Sequence, residues 1–251
     1  MRIASKNKRE IGKCNYNMDS YQLETVAIEK DLGVMVDNNL SFQTHIEMKV
    51  KNANKLVGLL RRSFTHLDGK MFKQLFISIV RPHLKYCASV WNPYLKKNIE
   101  LIENVQRRAT KQVAGLSHMS YKDRLKSIDL PTLKYRRYRG DMIEVYKIAH
   151  DMYDTSVTKD FLDFSASRSR GHNLRRHKFD LIKVIYKKDV RKFSFRSRIV
   201  DQWNYLPSSI VDAPNLNLFK NKLDRLWMRE NLIYEPDVDI YERTTLRRMK
   251  V

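Results

Sequence analysis

The residues best equipped for chemistry in this chain are its arginines and lysines, and they come in clusters. Lys49, Lys51, Lys55, Arg61 and Arg62 share one segment, Arg107, Arg108 and Lys111 a second, and Lys134, Arg136, Arg137 and Arg139 a third. Between Ser165 and Arg198 come Arg168, Arg170, Arg175, Arg176, Lys178, Lys183, Lys187, Lys188, Arg191, Lys192, Arg196 and Arg198, opposed by Asp180 and Asp189. Cations with so few interleaved carboxylates are suited to neutralising phosphates. Solvated helix faces are the ordinary alternative for charge runs, and the scarcity of acids favours phosphate for the set more than for any single residue. The whole chain has the same bias. Its 49 Lys and Arg against 28 Asp and Glu give a formal charge of +21, more than solubility requires and self-repelling without a polyanionic partner.

We therefore expect the backbone of an RNA/DNA hybrid or a duplex to be the partner. The contacts expected are Lys49, Arg61, Arg107, Arg108, Lys111, Arg136, Arg137 and Arg139 in one helical region, and Arg170, Arg175, Arg176 and Arg196 beyond it. Tyr135, Tyr138, Phe193 and Phe195 interleave with this charge, as stacking on bases would need. Core packing accounts for them as well, so none is assigned as a base reader.

Catalytic constellations are missing from the sequence. Two-metal phosphoryl transfer needs clustered carboxylates holding cations about 3.5 to 4 Å apart, and no Asp-Asp pair occurs. Asp237 and Asp239 read as a solvated acidic tail, and His172 with His177 is a weak pair with no nearby Cys. No glycine-rich phosphate loop, nucleophile elbow or zinc-protease motif is found. Cys14 and Cys87 form no ligand pair, which fits a reducing compartment. We expect no cofactor, no small-molecule substrate and no enzymatic activity of its own. No apolar run approaches the roughly eighteen residues that span a bilayer, and no basic helix with a bulky apolar face points to a membrane surface. A soluble intracellular protein is expected.

The elements that must carry these cations are mostly helical, since seven glycines and six prolines argue against a turn-dense β fold. Cys14 to Val36 reads as two or three short strands, a hairpin marginal by itself. After Ser41, a plausible N-cap, Ile46, Val50, Ala53, Val57, Leu60 and Phe64 step by fours and threes into a long amphipathic helix. A second helix begins near Asp68, a third at Pro82, and a fourth carries Ile99, Ile102, Val105, Ala109 and Val113 to a C′ position at Gly115. Ser120 and Pro131 each open another, the last reaching towards Met152. The composition shift near Thr155 places a boundary there. The expected organisation is a strand remnant over 1–40, a helical bundle over 41–154, a basic helical region over 155–235 and a frayed tail over 236–251: a mainly α fold.

Several blocks, in order, carry a family resemblance. They are Lys30-Asp31-Leu32-Gly33-Val34, with Asp37, Leu40, Phe42 and His45-Ile46; Arg81-Pro82-His83-Leu84, Tyr86 and Val90-Trp91-Asn92-Pro93; and Gln106-Arg107-Arg108-Ala109-Thr110-Lys111. Leu130-Pro131-Thr132-Leu133, the run from Tyr135 to Ile143, Arg170-Gly171-His172, Phe193 to Arg198, Trp203-Asn204 and Leu206-Pro207 follow. Together they resemble the region downstream of the catalytic palm in jockey-like non-LTR (LINE-type) retrotransposon reverse transcriptases, over roughly residues 14 to 230. The resemblance implies that the first strands end the palm near the primer grip, and that the helices form a thumb holding a template-primer duplex. It implies a nuclear setting, and Mg2+ in a palm whose acids this sequence lacks. It also leads us to expect a 5′-truncated copy beginning at an internal methionine, Met1, with an intact polymerase as a partner in trans. A helical protein-interaction module or an inert remnant is the rival expectation.

Overall fold

In the computed structural model the described residues are 16–165 and 177–237. The chain is mainly helical, with short β-hairpins leading into a bundle and a smaller helical region behind it. β1 (Asn17–Met18) pairs antiparallel with β2 (Tyr21–Gln22), and β3 (Ile28–Asp31) with β4 (Val34–Asp37). One hairpin was expected; two separate ones form. Leu32 and Gly33 take φ of 43° and 83° between β3 and β4, the doubly left-handed turn that matches strand twist.

The second hairpin is seated on the bundle by polar contacts. Tyr86 Oη donates to the Leu32 carbonyl at 2.8 Å, and Met35 N–H donates to His45 Nδ1 at 3.1 Å. The Asp37 carboxylate accepts from the backbone of Asn39, Ser41 and Phe42 and from the Ser41 hydroxyl, all within 3.0 Å. That grip holds Phe42 at φ 54° as the residue preceding α1 (Gln43–Ser63). Ser41 is therefore not the N-cap. Its hydroxyl serves Asp37 and meets the helix only through Gln43 N–H at 3.3 Å.

In α1 the residues Ile46, Val50, Ala53, Val57 and Leu60 are buried, as their spacing requires. Asp68 caps α2 (Gly69–Leu75), accepting Met71 N–H at 2.8 Å. The chain then widens into a π turn, Phe76–Val80, and tightens into a 3-10 turn, Arg81–Leu84. Pro82 gives the reason, since it lacks an N–H and its ring clashes with the carbonyl four residues back in a regular helix. Cys87, at φ 51°, precedes α3 (Ala88–Trp91). α4 (Lys96–Thr110) ends five residues before Gly115, which is left-handed but lies in the turns beyond the helix rather than at its C′ position. Ser120 and Thr132 cap α5 (Tyr121–Ser127) and α6 (Leu133–Ala149).

Six more helices follow among the described residues: α7 (Thr155–Thr158), α8 (Asp189–Lys192), α9 (Phe195–Arg198), α10 (Val200–Tyr205), α11 (Ser208–Val211) and α12 (Leu216–Arg229). The described residues form two apolar cores. The first joins Val34 to Ile46, Phe72, Phe76, Trp91, Ile102 and Leu125; the second joins α6, from Tyr135 onward, to Leu162, Phe179, Trp203, Phe219 and Trp227. α6 is shared, because Leu133 belongs to the first core. A helix buried on nearly every side reads as apolar or internally paired all round, and α6 buries Arg137 and Asp141 beside Met142 and Tyr146. Among the described residues no helix is long and apolar enough to cross a membrane.

Candidate nucleic-acid interface

Three of the expected contact residues converge. Arg61 in the last turn of α1, Arg108 in the last turn of α4 and Lys111 just beyond it line one groove of about 760 Å³ with Asn54, Gly58 and Phe64. Among the described residues no carboxylate lines this groove. All three cations are exposed. Arg108 reaches across it, donating from Nη2 to Asn54 Oδ1 at 3.1 Å and from Nε to the Asn104 carbonyl at 3.3 Å. α1 and α4 pack side by side, which brings their basic C-terminal turns together. Those turns also suit cations electrostatically, since the helix dipole is negative there. Further ligation is open to the groove cations.

Arg136, Arg137 and Arg139 line a second recess, of about 570 Å³, between α6, the segment before α3 and the start of α12. They are not alike. Arg137 is 4% exposed and donates from Nε to Asn92 Oδ1 at 3.0 Å, so it is an internal side chain. Arg139 grips Asp224 in two-pronged fashion at 2.6 and 2.7 Å, and Tyr135 Oη donates to the same carboxylate at 2.6 Å. Burial pushes the Asp224 pKa up, but Arg139 and Tyr135 outweigh it and hold the carboxyl below its ordinary value. Arg136 is half-buried, and its pKa is lowered by burial and then by Arg139.

The remaining expected contacts are scattered. Lys49 lies 5.8 Å over the Tyr86 ring, Arg107 lies 5.1 Å over Tyr121, and Arg196 pairs with Asp163 at 2.8 Å. Arg170, Arg175 and Arg176 lie outside the described residues, as do His172 and Asp239. The aromatics interleaved with charge pack internally. Tyr135 and Tyr138 are buried, Phe195 packs on the second core, and Phe193 stacks on Tyr94 at 4.5 Å.

Sequence reasoning missed Arg81, Lys85 and Lys220. Lys85 and Lys220 line the second recess, and burial followed by Arg136 lowers the Arg81 pKa to about 10. A signal existed in the spacing of Arg81 and Lys85, four apart around Pro82. Among the described residues no three His, Cys, Asp or Glu side chains gather to hold a metal.

No protein-family model matches the chain, and no solved structure matches it. An uncharacterized protein of Caenorhabditis elegans is similar, at 29% identity over 125 residues. That match takes in 49% of this chain and 61% of the worm protein, so the chain spans about three fifths of that relative's length.

Proposed function

We propose that this chain grips nucleic acid by its backbone, as a thumb-like C-terminal part of a non-LTR retrotransposon reverse transcriptase whose catalytic acids lie on another segment. One observation carries the reading: Arg61, Arg108 and Lys111 share a groove that, among the described residues, no carboxylate lines. A phosphate backbone supplies the missing negative charge, and exposed guanidinium groups bind phosphate through paired, charge-assisted donors. The net charge of +21 supports the same partner. The ordered sequence blocks support the polymerase family, and with it a nuclear setting and a partner polymerase in trans.

Fluorescence anisotropy of a labelled RNA/DNA hybrid tests the reading. The wild-type chain binds it, and the R61Q/R108Q/K111Q variant binds at least about tenfold more weakly. Equal binding by the two proteins refutes the groove assignment. Primer extension with the isolated chain is expected to yield no product, and a product dependent on this chain's residues would overturn the reading.

A second reading has its own observation. Tyr16, Met18, Tyr21 and Leu23 of the first hairpin are all more than half exposed, which favours a protein partner at that end.

A further inference from the structure

The second recess holds more positive charge than its neighbours balance. Six cations line it: Lys85, Arg136, Arg137, Arg139, Lys147 and Lys220. Lys147 is matched by Glu144 at 3.1 Å, and Arg139 by Asp224. The one further carboxylate in its wall among the described residues, Asp141, is taken by Arg198 at 2.9 Å. Lys85, Arg136, Arg137 and Lys220 have no ion-pair partner among the described residues.

Two of these cations also have donors with nothing to bond. Arg136 Nε and Arg137 Nη1 are buried, and among the described residues neither has a hydrogen-bond partner. Arg137 is 4% exposed as a whole residue. A buried guanidinium N–H without an acceptor is costly, more so beside like charges. Perturbed charged groups of this kind cluster at functional sites.

We propose that this recess binds a phosphate group carrying about two or more negative charges, either the phosphomonoester end of a nucleic-acid strand or a free phosphate such as pyrophosphate. Lys85, Arg136 and Lys220, with Arg137 opposed only at longer range by Glu103 and Asp141, exceed the single charge of a backbone diester, whereas a terminal phosphate brings close to two. Donors for it come from Arg136 and Arg137, which line the recess and each keep an unpartnered N–H, and from the Lys85 and Lys220 ammonium groups, which reorient on flexible stems. A volume of about 570 Å³ lies within the usual range for small-ligand sites, leaving space for a nucleoside attached to the phosphate. Mutual repulsion within the cluster points the same way. Burial lowers the Lys85 pKa, and Arg136, Arg81 and Arg139 lower it further. A bound anion of that charge would relieve that crowding. The strand-end form of the proposal rests on the nucleic-acid reading above; the phosphate chemistry does not.

Thermal shift with inorganic pyrophosphate, and anisotropy with 5′-phosphate, 3′-phosphate and hydroxyl-ended oligonucleotides, test it together. Pyrophosphate raises the melting temperature of the wild type and of the R61Q/R108Q/K111Q groove variant. It raises that of K85Q/R136Q much less, with apparent affinity down at least about tenfold. K85Q/R136Q removes like charges and is expected to melt no lower than the wild type; the rim substitution K220Q provides the same comparison should the double variant unfold. A tighter phosphate-ended oligonucleotide, with that advantage abolished in K85Q/R136Q, identifies a strand end as the source. Pyrophosphate binding without such an advantage identifies a free phosphate. If no oligonucleotide binds while the pyrophosphate shift persists, the nucleic-acid reading falls and the recess stands. Equal pyrophosphate response in the wild type and both recess variants, or no response in the wild type, overturns the proposal.

Discussion

Arg198 and Asp141 meet in the interior, Nε to Oδ2 at 2.9 Å and Nη2 to Oδ1 at 3.0 Å, across 57 residues of sequence. The same Nη2 donates to the Ser89 carbonyl at 2.8 Å. One guanidinium thus ties α9 to α6 and α3. Both partners are about 95% buried, and removing one partner of such a pair leaves the other charged and unmatched. Arg198→Ala is expected to cost about 3 to 5 kcal/mol, a fall of roughly 10 °C in melting temperature, while the salt dependence of nucleic-acid binding stays unchanged. Calorimetry and a salt titration of the variant check the two halves.

His45 makes stability depend on pH. It is fully buried against Trp91, its Nδ1 accepting from Met35 N–H. Burial, and then Lys49, lower its pKa to about 4. The fold therefore holds a neutral imidazole, while the unfolded chain takes up a proton near pH 6.5. The contribution is complete above that pH, falls as pH drops, and is gone below about 4, a decrease of up to about 3 kcal/mol. His45→Gln keeps an acceptor for Met35 and is expected to show a shallower decline in melting temperature between about pH 7 and 4. An unchanged decline would show that other groups set it.

The turn at Leu32 and Gly33 carries strain on one side only. Leu32 is 84% exposed at φ 43°, where a branched side chain is disfavoured by about 1 kcal/mol or more. Leu32→Asn is expected to raise stability by about that amount, because Asn-Gly suits this turn. Gly33→Ala is expected to lower it by a similar amount, since φ is 83° and a Cβ there would stand 3.4 Å from Tyr86. Denaturant melts of the two variants should move in opposite directions.

Glu103 is a buried carboxylate with three donors: Tyr121 Oη at 2.6 Å, Leu133 N–H at 3.2 Å and Lys134 N–H at 3.1 Å. It thereby satisfies two free N–H groups at the start of α6, a site that favours negative charge. Glu103→Ala is expected to cost about 2 to 3 kcal/mol, and Glu103→Gln less, as read by denaturant melts. Equal destabilisation by the two would mean that charge at the helix start is unimportant.

The sequence was legible where one period governs burial. The apolar steps of α1 and α4 needed only helical geometry, and Asp68, Ser120 and Thr132 cap as their types allow. The π turn before Pro82, the left-handed Cys87 and the Asp37 grip were not legible, because each depends on which distant groups meet. The same limit applied to the cations. Arg137, Arg139 and Arg198 look like Arg61 and Arg108 in a charge pattern. What separates them is Asn92, Asp224 and Asp141, of which Asp224 stands 85 residues from the arginine it binds. The groove was half visible, since its residues were named but not their convergence. The recess was hidden, because Lys85 and Lys220 stand 135 residues apart in the sequence.

The most direct test of a cationic groove holding a phosphate backbone is the slope of log affinity against log salt for a duplex. The wild-type chain is expected to give a steep straight line, and R61Q/R108Q/K111Q a line shallower by about 2 to 3, close to 0.9 for each phosphate that the variant no longer neutralises. Parallel lines for the two proteins, or binding indifferent to salt, would contradict the account.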